Sequence, residues 1–193
     1  MSIRRVVTGH DRNGKAIVLS DGPAPSVKMH PNRPGHRSTD IWKTTAMPVP
    51  LSAEESDPTL GPRDFCPPNG TKIRIAEIPP EPEFFKTLTP AQVQEVFKSG
   101  GNESASTFHE NGRHPFMHRT ESLDYAVVLE GEITMLLDEQ DIVLKAGDIL
   151  IQRGTNHAWS NRSGKPVRML YILIDGKFDP ALEAQFGKEL AKG

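Results

Sequence analysis

The sequence predicts an all-β domain, a sandwich or barrel with an extended N-terminal arm and one or two short helices, on three observations. Leu123, Tyr125, Val127 and Leu129 alternate with Asp124, Ala126, Val128 and Glu130, the two-residue period of a strand whose faces differ. Short strand-like runs surround this one at turn-punctuated intervals of roughly 8–12 positions. No strand–helix–strand rhythm of the kind that builds a parallel sheet is visible.

The elements follow in order. Residues 1–100 carry the strand-like pieces Ile3–Thr8, Ala16–Ser20, Asp40–Ala46 and Lys72–Ile78. Between the last two lies Met47–Gly70, with six prolines in 24 residues; proline donates no ladder hydrogen bond, so this stretch reads as an ordered arm or meandering loop. Pro90–Lys98 predicts a short helix: Thr89 caps it, Pro90 takes the first helical position, Gln92 completes a capping box and Gly100 ends it. Residues 101–176 form the barrel core. There Glu130-Gly131-Glu132 turns into Ile133–Leu137, and Ile142–Lys145, Ile149–Ile151, His157–Ser160 and Val167–Ile174 follow. Residues 177–193 close with a second helix opening at Asp179-Pro180, on which Leu182, Phe186 and Leu190 form a stripe facing the body.

Composition narrows the function classes. At 193 residues and 21.3 kDa the chain suits one domain, and its 17 prolines and 16 glycines account for an apolar share of only 36%. With 23 basic against 25 acidic residues, nothing draws it to nucleic acid or anionic lipid. The longest apolar run, Met169–Ile174, is far short of the roughly 20 residues of a spanning helix. The N-terminus has no secretory leader and Cys66 is a lone, inert thiol, so a cytoplasmic protein is expected.

Two stretches carry a resemblance. His118-Arg-Thr-Glu-Ser-Leu-Asp124 followed by six residues and then Gly131, and Gly147-Asp148 through Gly154-Thr-Asn-His157 to Asn161, resemble the two signature motifs of the cupin superfamily, over roughly residues 112–175. The resemblance implies a small jelly-roll barrel whose interior holds a divalent metal. By position it assigns His118 to the first histidine ligand, Asp124 to the glutamate and His157 to the last histidine. Thr120 stands where a second histidine is usual, Asp124 is one methylene short, and Gln152 replaces a common proline. Two histidines and a carboxylate match the non-haem iron triad, and manganese, zinc or nickel also suit them.

Independently of the resemblance, His118 and Asp124 are six residues apart, about 20 Å along a straight strand, so they share a site only if the chain turns a corner near Thr120–Ser122. Asp124 shares its face with Ala126 and Val128, where an unpaired carboxylate is costly; it must be protonated, hydrogen-bonded or metal-bound. His114, four residues before His118, is a candidate replacement ligand. Trp159 shares the parity of His157 and can stack on a planar substrate, Arg153 is the candidate for gripping a substrate carboxylate, and Thr120 leaves an open position for substrate. Tyr125 falls on the face opposite Asp124. His109 reads as a loop residue, and His10, His30 and His36 as surface or turn residues.

These residues support three functions. The first is a metal-dependent enzyme acting on a small keto or hydroxy acid or aromatic carbonyl compound, by lyase-type chemistry or oxygenation. The second is a metal-free enzyme using His157 and Asp124 as an acid–base pair. The third is a non-catalytic binding module. The proline-broken arm, packed against a neighbouring barrel, makes a homodimer the expected assembly.

Overall fold

The computed structural model describes residues 2–190 apart from 31–32, 54–55 and 110–111. Its strands are β1 (Arg4–His10), β2 (Ala16–Pro23), β3 (Ser26–Met29), β4 (Arg37–Thr44), β5 (Thr71–Ile78), β6 (Ser122–Glu130), β7 (Glu132–Leu136), β8 (Asp141–Lys145), β9 (Ile149–Arg153), β10 (Ala158–Ser160) and β11 (Val167–Asp175), and its helices are α1 (Pro90–Ser99) and α2 (Pro180–Leu190). All pairings are antiparallel. A six-stranded sheet runs β3-β4-β5-β11-β6-β9, a three-stranded sheet runs β10-β7-β8, and β1 and β2 form a separate hairpin. The fold is all-β, as the period-2 pattern predicts.

The barrel draws strands from both halves of the chain. β5 lies inside the main sheet between β4 and β11, because Ala76 and Ile78 are buried apolar residues on one face of it. They join Ala126, Val128, Ile133, Leu144, Val167 and Met169 in the principal core between the sheets. Gly131 makes the β6–β7 turn with φ +83°, and a Cβ there would lie 3.0 Å from a Val167 methyl, so only glycine serves.

The described residues of Met47–Gly70 lie outside the sheets, with a 3-10 turn at Pro58–Leu60. It closes over β4 and β5 through charge. Lys72, 1% exposed, is bonded to Asp64 of this segment and lies 3.3 Å from Asp40, which also takes Arg74 at 2.7 Å and Arg63 at 3.1 Å. Burial drives the Asp40 carboxyl upward, but the three cations outweigh it and hold its pKa below the ordinary range.

α1 forms with the predicted capping box intact: the Thr89 side chain accepts from the Gln92 amide, and Gln92 accepts from the Thr89 amide at 2.9 Å. Val93 and Val96 bury against Phe85 and Phe116. On α2, Phe186 packs edge-on against Phe178 with ring centroids 4.8 Å apart and under the Arg119 guanidinium. Leu182 turns to solvent, 40% exposed; the Leu190 side chain lies outside the described residues.

Candidate functional site

A cavity of about 170 Å³ opens between the main sheet, α1 and the β3–β4 connection, lined by His118, Asp124, His157 and Trp159 among others. The chain turns its predicted corner. His118 sits before β6 and pairs through its backbone with His157, each amide donating to the other's carbonyl at 2.9 Å. Gly154, at φ +62°, carries the chain from β9 towards His157; a Cβ there would lie 2.5 Å from the Phe178 ring.

That bridge brings the two imidazole rings to 4.2 Å between centroids. The His118 Nδ1 lies 2.9 Å from the Phe116 carbonyl, which can only accept, so Nδ1 carries the proton and Nε2 keeps a bare lone pair. The His157 Nδ1 lies 2.9 Å from the Thr155 carbonyl and 3.0 Å from the Gln152 side-chain nitrogen; it donates to the first in one tautomer and accepts from the second in the other, and in either case Nε2 is the nitrogen without these contacts. Burial lowers both imidazoles, His118 to about 4 and His157 well below its ordinary value, so both are neutral at physiological pH.

Asp124 projects inward from β6, 6% exposed, as its parity with Ala126 and Val128 requires. Burial pushes its carboxyl up to about 6, only partly countered by the hydrogen bond from Ser122. Its Oδ1 is buried with no partner among the described residues. Its cross-strand neighbour on β9 is Gln152, the residue that also reaches His157. Trp159 stands edge-on to His157, centroids 5.9 Å apart, and against Tyr171 at 5.5 Å, so the indole is part of the cavity wall.

Other candidates go elsewhere. His114 is buried but committed: its Nε2 meets Glu81 at 3.1 Å and its Nδ1 accepts from the Phe116 amide at 3.1 Å, so it has no nitrogen left for a metal. Thr120 hydrogen-bonds Ser122 at 2.9 Å and borders a different groove, beside Arg119 and Phe178, because the corner rotates it away from His118. Arg153 is exposed at the end of β9; alternation puts its neighbour Gln152 inside instead. Tyr125 lies on the outward face of β6, and burial raises the Cys66 thiol to about 12, which fits an inert group.

Four residues of the cavity wall escape motif reading. His30, Arg33 and His36 enter from the β3–β4 connection, and Tyr171 enters from β11. Tyr171 carried a signal in its parity with Met169 and Leu173, both buried. The β3–β4 residues carried none, since only long-range strand pairing delivers them.

The donor chemistry for a divalent ion is partly present: two neutral imidazoles with Nδ1 engaged, and a buried carboxyl oxygen without a partner. Ligands of one such ion must lie about 2.0–2.2 Å from it. Among the described residues no three His, Cys, Asp or Glu side chains are grouped closely enough to hold one ion. The two imidazoles pair, and Asp124 lines the same cavity without making a group of three with them.

The cupin domain family model matches residues 104–173. Over 181 residues the chain is 32% identical to phomopsin biosynthesis cluster protein C' of Diaporthe leptostromiformis, covering 90% of this chain and 78% of that one. It is 30% identical over 185 residues to the cupin-domain-containing oxidoreductase fogC of Aspergillus ruber, covering 89% and 71%. Among solved structures, the cupin domain of Schizosaccharomyces pombe Cnp3 is similar at 11% identity with a TM-score of 0.42, over 97% of this chain and 96% of that one.

Asp124 gives a signed prediction for chelator-treated protein. A carboxyl raised to about 6 when folded, against about 3.9 unfolded, favours the folded state fully below pH 3.9, and that advantage is lost as pH rises through 6. Asp124→Asn removes the titration, so urea unfolding at pH 8 should find it more stable than the parent by about 2–3 kcal/mol, with little gain at pH 3.5. A stability difference that does not change with pH contradicts the assigned burial of this carboxyl.

Proposed function

The chain belongs to the cupin superfamily, and from that premise we propose that it is an enzyme moving protons on a small organic substrate bound between His118, His157, Asp124 and Trp159. One observation carries the reading: a carboxyl held up to about 6 and an imidazole with a bare Nε2 line the same small cavity. Environments that separate two titrating groups in this way let one donate and the other accept near neutrality. In this reading His118 Nε2 takes a proton from carbon or oxygen next to a carbonyl, and Asp124 in its protonated form gives one to the developing oxyanion. His157 holds the substrate through its own Nε2. Gln152 positions His157, and Trp159 covers the substrate face. Lyase-type reactions such as dehydration, decarboxylation or isomerisation need no more.

A second reading has specific support. Donating Nδ1–H to a carbonyl so that Nε2 is left bare is how metal-ligating histidines are fixed; His118 is held in this way by the Phe116 carbonyl, and the Thr155 carbonyl offers His157 the same arrangement. Iron, manganese, zinc or nickel on that pair would supply Lewis-acid or oxygen chemistry, and the relative named an oxidoreductase favours it. It requires a third donor that the described side chains do not bring.

One experiment separates the two. Protein purified without chelator is analysed for metal and assayed against hydroxy acids, keto acids and aromatic aldehydes, before and after chelation. The first reading expects turnover to survive chelation and to fall by roughly 10²–10⁴ in His118→Ala and in Asp124→Asn. Turnover that disappears with the chelator and returns with one of the four metals assigns the chemistry to the second reading. Binding without product across the panel counts against an enzyme.

The assembly we propose is a homodimer in the cytoplasm. The hairpin β1–β2 leaves Val6, Ile17, Val18 and Leu19 between 41% and 58% exposed, apolar side chains on its two faces that a second barrel would cover. The lone, inert Cys66 suits a reducing compartment, and no described helix is long and apolar enough to cross a membrane. Light scattering at micromolar concentration should return twice the chain mass, and Val18→Lys should halve it. A monomer in the parent chain contradicts the dimer.

A further inference from the structure

The cavity has a second polar end that proton transfer does not use. From the β3–β4 connection, His30, Arg33 and His36 enter it together, His36 only 7% exposed and its ring edge-on to His30 with centroids 4.6 Å apart. Among the described residues, Arg33 Nε, His30 Nδ1 and His36 Nδ1 are all buried without a hydrogen-bond partner. Three buried polar atoms on neighbouring side chains left unpaired is a costly arrangement. Asp40, for comparison, is shared among Arg63, Lys72 and Arg74.

Among the described residues Arg33 forms no ion pair within 4 Å. The carboxylate whose charge acts on it, Glu81, accepts instead from His114 and Ser160. The Arg33 guanidinium lies over the ring of Phe116 at 4.7 Å and Phe85 at 5.8 Å. Stacking occupies its faces and leaves its in-plane N–H groups for an acceptor, and that fork fits a carboxylate. Positive charge dominates this end, since Arg33, Arg63, Arg74 and Lys28 all bear on His30.

Size limits the remainder of the ligand. A cavity near 150 Å³ accommodates one benzene ring, and this one is about 170 Å³, walled by Phe97, Phe116, Trp159 and Tyr171. We infer that the substrate is a small carboxylate carrying a single planar ring or its equivalent, with its anionic end on Arg33, beside the imidazoles of His30 and His36, and its reacting end directed to His118 and His157. The inference rests on the proposed function and adds its substrate class. Arg33 becomes the specificity residue, the role that the exposed Arg153 does not fill.

The test uses the full chain and three probes of nearly equal shape: benzoate, benzamide and benzaldehyde, titrated by calorimetry and by the imidazole NMR signals of His118 and His157. Benzoate should bind at least tenfold more tightly than benzamide. The preference should collapse in Arg33→Met, in which the benzoate and benzamide affinities converge, and be kept in part by Arg33→Lys. The comparison of benzoate with benzamide in the parent chain decides the matter even where a variant does not fold. Equal affinities, or unaltered benzoate binding by folded Arg33→Met, overturn the assignment. Benzaldehyde binding that shifts the His118 and His157 signals, with no benzoate binding, removes Arg33 while sparing the proposed function. Binding of none of the three overturns both.

Discussion

Exclusion of water from one end of the barrel is the constraint on which the rest of the structure depends. Two imidazoles, a carboxyl and a phenol are gathered where charge is poorly solvated, and burial shifts each of them towards its neutral form. The backbone bridge between His118 and His157 makes this possible, because it brings the histidines together without drawing on their ring nitrogens. Carbonyls of Phe116 and Thr155 then engage Nδ1 in each ring, and the chemistry is left to Nε2. Burial, tautomer and reactivity are thus one arrangement seen from three sides.

Much of this was legible in the sequence. The alternation over 123–130 fixes which face of β6 is buried, and with it the position of Asp124. The six-residue separation of His118 and Asp124 demands a corner, and the corner is present between the bridge at His118 and the start of β6 at Ser122. Thr89, Pro90 and Gln92 fix the start of α1 by local chemistry alone. Such features are short-range, and short-range patterns are what a single sequence records most directly.

What the sequence concealed was produced by pairing at a distance. His30, Arg33 and His36 read as turn residues because nothing near them signals a site; they reach the cavity only because β4 pairs with β5 and β5 with β11. Arg153 was misplaced by a single position, since in a strand one residue decides between core and solvent, and Gln152 holds the inner place. His114 is buried as a ligand candidate should be, yet Glu81, 33 residues away in sequence, had already engaged it. Two donors of the resemblance meet as a pair, and the third does not join them, for a similar reason: a motif assigns positions along the chain, while the corner and the packed neighbours decide where each side chain ends.

Burial keeps His118 and His157 neutral, with His118 carrying its proton on Nδ1. Nitrogen-15 NMR of histidine-labelled protein between pH 5 and 8 tests it most directly, because imidazolium and the two neutral tautomers give distinct shifts. The account predicts that His118 stays in the Nδ1–H form and that His157 gains no proton across that range. Protonation of either ring near its ordinary value of about 6.5, or a proton on His118 Nε2, contradicts it.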